Sequence, residues 1–141
     1  MQVDELMSEA KCCREGAPVQ ECARLMKEEN IGFVPICNDE GAPIGAITDR
    51  DLAIRVLAEG HSANDPIDRF ATRDLVSCRL GSDVTEAERL MRERRKSRVM
   101  VCDSEGKLRG VISLADIADA ESDASAGKTL SEVKSDQPTA H

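Results

Sequence analysis

Two stretches of this chain, "GAITDRD" (Gly45–Asp51) and "GVISLAD" (Gly110–Asp116), follow one pattern: glycine, two apolar residues, a hydroxyl residue, two variable residues and an aspartate. The second begins 65 residues after the first (110 − 45). Sliding the chain on itself by that offset extends the match without a gap. "VQECARLMKEE" from Val19 lies on "VTEAERLMRER" from Val84, and "VPICNDEG" from Val34 lies on "VMVCDSEG" from Val99. From Cys13 to Ala53, 17 of 41 positions are identical. The chain is therefore two versions of one supersecondary unit. This divides it into a first repeat (1–62), a second repeat (63–120) and a C-terminal tail (121–141), whose Ser, Asp and small residues predict mobility.

Local physics gives both repeats the same elements. Val19, Cys22, Ala23 and Met26 fall at i, i+3, i+4 and i+7, which predicts an amphipathic helix with Pro18 at its first position. "FVPIC" and "PIGAIT" are β-rich runs joined by the turn residues Asn38-Asp39-Glu40-Gly41, an antiparallel hairpin. "RVMVC", "DSEG" and "LRGVIS" repeat it. Thr48 can cap a helix over "DRDLAIRVLAEG", with Leu52 and Val56 inward and Gly60 as its stop. "AKCC" and "LVSC" predict short strands ahead of the first helix of each repeat. The unit reads strand, helix, strand, strand, helix. The fold class is mixed α+β or α/β, with two β-α-β-β-α repeats related by a pseudo-twofold and packed through their sheets, because about 55 residues around one small sheet bury too little apolar area alone.

Composition narrows the function. With two Phe and no Tyr or Trp, the core must be aliphatic, helped by Met and Cys. A net charge of −8 argues against a broad grip on nucleic acid, whose binding rests on Lys and Arg. No stretch resembles a membrane span or signal peptide, so the expected location is cytoplasmic.

Thr48-x-x-Asp51 and Ser113-x-x-Asp116 have two readings. As N-caps with an acid at the third helical position they need no further role. The same geometry also suits a nucleotide: the helix N-terminus and the hydroxyl can meet a phosphate, and the carboxylate can accept both hydroxyls of a ribose. The preceding glycine would let a ligand approach the backbone, and clefts between the repeats would hold a base against aliphatic walls.

The order Val-Pro-Ile, acidic turn, Gly-Ala-Ile-Thr-Asp-Arg-Asp and amphipathic helix, all repeated once, resembles a tandem CBS-domain pair, or Bateman module. The pattern is similar to small stand-alone bacterial CBS-pair proteins, including the mycobacterial hypoxic-response type, which share the "PIC" and "TDRD" runs. The resemblance implies a regulatory homodimer of pairs that binds AMP, ADP, ATP or S-adenosylmethionine, with the hydroxyl residue near phosphate and the aspartate on the ribose. It carries over residue by residue. Thr48, Arg50 and Asp51 fit the motif in full, and Val34, Pro35 and Ile36 stand in the strand that lines the base pocket. In the second repeat Ser113 and Asp116 fit, but Ala115 replaces the arginine and Met100 stands where the family has proline. Arg98, at the end of the basic segment Arg92–Arg98, is a candidate phosphate partner; the rest of that segment reads as a solvated helix end.

Cys12, Cys13, Cys22, Cys37, Cys78 and Cys102 show no C-x-x-C spacing and no histidine pair, so no metal site is expected. Free core-filling thiols are the simple reading; a redox-sensitive bond from Cys12 or Cys13 to Cys37 is the sharper one. His61 lies in a polar linker and His141 is the last residue, no phosphate-binding loop or dinucleotide fingerprint occurs, and no catalytic activity is expected. The leading expectation is a ligand-sensing module that binds an adenosine nucleotide and acts on an unknown regulated protein, without a required cofactor. The rival is a scaffold or redox-responsive dimer with degenerate sites, and nucleic-acid binding ranks last.

Overall fold

The helix after Pro18 shows how the repeat is assembled. The computed structural model describes residues 1–125, and in it α2 (Val19–Glu29) buries Val19, Cys22 and Met26. Leu25 packs beside them, whereas Ala23 is exposed. The buried arc is centred on Cys22, which turns Ala23 out of the expected stripe. Pro18 is the residue just before the helix, with extended backbone. Its carbonyl accepts the Glu21 N–H at 2.9 Å, and the Val19 and Gln20 N–H groups donate to the Asp65 and Ala63 carbonyls at 2.9 Å each. The linker thus satisfies helix donors that a proline side chain cannot.

The chain forms two compact units, each with its own sheet. One contains β2 (Cys13–Arg14), α2, β3 (Phe33–Cys37), β4 (Pro43–Thr48) and α3 (Asp49–Asp51), which continues through Leu57. Its strand order is β2-β3-β4, parallel then antiparallel. Asn38 makes the hairpin turn: its side-chain oxygen accepts the Glu40 and Ala42 N–H groups at 3.0 and 2.9 Å. Gly41 supplies the positive φ of 84°. The strand expected over "AKCC" is shorter, because only Cys13 and Arg14 pair with β3.

The other unit contains β5 (Ser77–Arg79), α4 (Val84–Arg94), β6 (Arg98–Cys102), β7 (Leu108–Ser113) and α5 (Leu114–Ser125). The strand–helix–strand–strand–helix order therefore recurs in both units. Of the tail expected from Glu121, the first five residues continue α5; residues 126–141 lie outside the described residues. Both cores are aliphatic. Val34, Ile36, Ile47 and Val56 centre one, and Val99, Val101, Ile112 and Ile117 the other.

The contact units and the sequence repeats are out of phase. Residues 1–9, with α1 (Val3–Leu6) and β1 (Ser8–Glu9), fold with the second-motif unit, where β1 pairs antiparallel with β7. Ile67 and Phe70, from the short 3-10 turn Ile67–Arg69 and the residue after it, fill the first-motif core. The two segments are held alike. Val3 N–H donates to Ser82 O and Ile67 N–H to Ala17 O, both at 2.8 Å. Asp4 accepts the Gly81 N–H at 2.7 Å, and Asp68 accepts the Gly16 N–H at 2.8 Å. Asp68 follows Asp4 by 64 residues (68 − 4) and Gly81 follows Gly16 by 65 (81 − 16). A one-residue change in offset hid this similarity from the ungapped comparison.

This docking gives the motif glycines their role. A Cβ on Gly110 would lie 2.9 Å from the Ser8 carbonyl oxygen and 2.5 Å from Met7 Sδ; one on Gly45 would lie 3.0 Å from the Thr72 carbonyl oxygen. The space expected for a ligand's approach is occupied by the chain itself.

Gly110→Ala should destabilise the fold by about 1–3 kcal/mol through overpacking, read as a lower denaturation midpoint with earlier proteolysis within residues 1–9. An unchanged midpoint would refute the tight contact. A second prediction concerns the helix ends: Asn30 and Arg95 both adopt left-handed conformations, with φ of 53° and 55°. Asparagine tolerates this better than arginine, so Arg95→Asn should raise stability by about 1 kcal/mol in a urea titration.

Candidate functional site

Thr48 is the last residue of β4 and the cap of the helix that follows. Its Oγ1 accepts the Asp51 N–H at 3.1 Å, while the Thr48 N–H donates to Asp51 Oδ2 at 2.9 Å. Ser113 and Asp116 repeat the arrangement at the end of β7, with distances of 3.0 and 2.9 Å. Both motifs are reciprocal capping boxes, so the cap reading is realised twice. The cap leaves chemistry in hand. A hydroxyl that accepts a hydrogen bond keeps its own proton to donate, and a carboxylate engaged through Oδ2 keeps acceptor sites on Oδ1.

The four residues are half-buried and Arg50 is exposed beside the first motif. The helix past Asp51 continues as π-helical turns over Leu52–Leu57, with five-residue hydrogen bonds such as Ala58 N–H to Ala53 O at 2.9 Å. Val56 remains buried, Leu52 packs partly against the core, and Ile54 and Leu57 face outward, 46% and 74% exposed. Isolated π-helical segments are uncommon and concentrate near functional sites.

The strand residues divide by face. Val34 and Ile36 belong to the hydrophobic core of their unit. Their side chains are committed to packing, and strand alternation turns Pro35, itself fully buried, to the other face of the sheet. Met100 holds the corresponding position in β6 between the core residues Val99 and Val101, and is itself buried. Arg98, at the start of β6, is half-buried. A groove of about 330 Å³ between α4 and α5 is lined by Met91, Leu114 and Ile117 together with the charged Glu88, Arg92, Lys96 and Glu121; no sequence signal had pointed to it.

The thiols are also sorted. The Cys37 thiol is hydrogen-bonded to Cys12 and lowers the Cys12 pKa to about 6, against the opposing effect of burial. Cys13 is instead hydrogen-bonded to Cys22, which lowers the Cys13 pKa and raises that of Cys22. In the other unit burial raises Cys78 and Cys102. No group of three or more His, Cys, Asp or Glu suited to a metal occurs among the described residues. The His61 ring is tilted against Phe70 at 5.0 Å, and no described helix is long and apolar enough to cross a membrane.

The CBS-domain family model matches residues 3–58 and 67–123. The chain belongs to the CBS-domain family and carries two copies of the domain. It is 30% identical over 131 residues to the CBS domain-containing protein YhcV of Bacillus subtilis, covering 92% of each chain. It is 34% identical over 108 residues to Hypoxic response protein 1 of Mycobacterium tuberculosis, covering 76% of this chain and 75% of that one. The crystal structure of that response protein with two coordinated zinc ions matches with a TM-score of 0.73 at 29% identity, over 84% of this chain and 97% of the other. The CBS pair of protein MJ0100, solved with 5-methylthioadenosine and S-adenosyl-L-methionine, matches in fold with a TM-score of 0.75 at 22% identity, over 88% and 98% of the two chains.

If the caps are energetically real, Thr48→Ala and Ser113→Ala should each cost about 1 kcal/mol, and Thr48→Ser close to nothing. Urea denaturation provides the test, and equal midpoints for Thr48→Ala and the parent would remove the cap from the account.

Proposed function

We propose that the protein is a regulatory CBS pair whose first motif binds an adenosine nucleotide. The reading is carried by the first capping box, which leaves the Thr48 hydroxyl proton and Asp51 Oδ1 available beside exposed Arg50. Phosphate is met by the hydroxyl and the guanidinium, the ribose diol by the carboxylate, and the base by the Pro35 face of β3. AMP, ADP, ATP and S-adenosylmethionine all present an adenosine ribose to such a site. The second motif retains Ser113 and Asp116 but has Ala115 at the arginine position and Met100 opposite Pro35 in the alignment. It forms the weaker site, with Arg98 at the start of β6 as its candidate phosphate partner.

A ligand acts through its differential affinity for two arrangements. Here those are arrangements of a homodimer of pairs, sensed by a cytoplasmic partner protein. That the MJ0100 pair is solved with two adenosine derivatives supports the chemical class, while the assignment to this chain rests on its own residues.

Calorimetric titration of the reduced protein with each of the four ligands should give saturable heat for at least one. Arg50→Ala and Asp51→Asn should weaken that binding about ten-fold or more, equivalent to about 1.4 kcal/mol, whereas Asp116→Asn should change it little. Asparagine retains an acceptor for the Thr48 N–H, which separates ligand binding from capping. No heat from any ligand, with folding verified, would reduce both motifs to caps.

A further inference from the structure

The first-motif unit holds four of the six cysteines, arranged as two thiol pairs on opposite faces of one sheet. Cys13 pairs in register with Ile36, and both belong to the core. Cys22 is a core residue as well. Strand alternation therefore places Cys12, Arg14 and Cys37 on the other face. Arg14 confirms the direction: it is exposed and reaches Asp39 at 3.1 Å. The β3–β4 register shifts between Ile36 and Cys37, a local irregularity at the residue that meets Cys12.

We propose that Cys12 and Cys37 form a peroxide-sensing dithiol that closes to an intramolecular disulfide, with exposed Cys12 as the attacking sulfur and buried Cys37 as the resolving one. The Cys12 thiolate attacks one oxygen of a hydroperoxide. An S–O bond forms, the O–O bond breaks, and water or an alcohol leaves after protonation. The Cys37 sulfur then attacks the sulfenic acid, forming S–S as S–O breaks and a second water leaves. Two thiols supply two electrons to one peroxide, so hydrogen peroxide yields one disulfide and two waters.

The structure supports each assignment separately. Cys12 is exposed and Cys37 is buried, so the first step is open to solvent and the second is intramolecular. The hydrogen bond from Cys37 that lowers Cys12 to about 6 makes it the thiolate of the pair at neutral pH. Cys13, the other sequence candidate, is engaged with Cys22 inside the core and is removed from this role. The second repeat supplies an internal comparison. Ser77 and Ala87 stand where the first repeat has Cys12 and Cys22, leaving Cys78 and Cys102 without either partner thiol of the first repeat. A disulfide at this position would tie β2 to the end of β3, the strand carrying Pro35, independently of whether nucleotide binds.

The test is oxidation of the reduced full chain by one equivalent of hydrogen peroxide in the presence of a chelator. The thiol count should fall by two from six. Tandem fragmentation of the linked tryptic peptide Cys12-Cys13-Arg14 should place the bond on Cys12 and join it to Cys37. At pH 7, Cys12 should also alkylate about ten-fold faster than Cys78 or Cys102. In Cys37→Ser, a 1,3-dione should trap sulfenic acid at Cys12. An unchanged thiol count, a bond from Cys13 or to Cys22, alkylation of Cys12 no faster than Cys102, or trapping at Cys37 in Cys12→Ser would each overturn the proposal. The parent protein's map needs no variant to fold, and melting curves of both serine variants verify theirs.

Discussion

Each core depends on a segment that lies outside the repeat supplying its sheet. Val3 and Ile67 are completely buried, and each is fixed by a 2.8 Å backbone hydrogen bond to the loop before a helix. The aspartate next along the chain, Asp4 or Asp68, accepts a backbone N–H of that same loop. Burying an isoleucine- or valine-sized side chain contributes about 1.5–3 kcal/mol, a substantial share of the marginal stability available to a small unit. Removing the segment would also expose strand edges and helix donors that it now satisfies. The repeat is thus a unit of sequence, and the folding unit is a different cut through the same chain.

This constraint explains the glycines of the doubled motif. Gly45 and Gly110 read naturally as openings for a ligand, yet the atoms nearest a built Cβ at Gly110 belong to Met7 and Ser8, and at Gly45 to Ala71 and Thr72. Two chain segments approach each other there. The hydroxyl and acid of the same motif serve both structure and recognition without contradiction, because one oxygen of the aspartate closes the cap while its other oxygen retains acceptor capacity. The motif therefore combines a packing glycine, a capping hydroxyl and a shared carboxylate within seven residues.

The sulfur chemistry shows how duplication allows divergence. Cys13 and Cys37 have counterparts in Cys78 and Cys102, whereas Cys12 and Cys22 have none. Adding one exposed and one core thiol to the first repeat converts two matched cysteines into two opposed pairs. The hydrogen bonds within the pairs lower Cys12 and Cys13 against the effect of burial, whereas at Cys22 hydrogen bond and burial act together to raise it.

By itself the sequence determined the duplicated strand–helix–strand–strand–helix order, both hairpin turns and both capping boxes. These depend on local spacing: the 65-residue offset, Asn38 and Gly41 in a turn, Thr48 three residues before Asp51. Pro18 and Ala23 showed the limit even there, since neighbouring segments decide which part of a helix is buried and which residue opens it. Tertiary structure alone decided that residues 1–9 complete the second-motif unit, that Val34 and Ile36 join the core of their unit while Pro35 is buried on the opposite face of the strand, and that Cys37 meets Cys12 and not Cys13. Those outcomes depend on which strands become neighbours and in what register. A one-residue change in register reverses the face a side chain presents, and no composition or local motif specifies the partner strand that sets it.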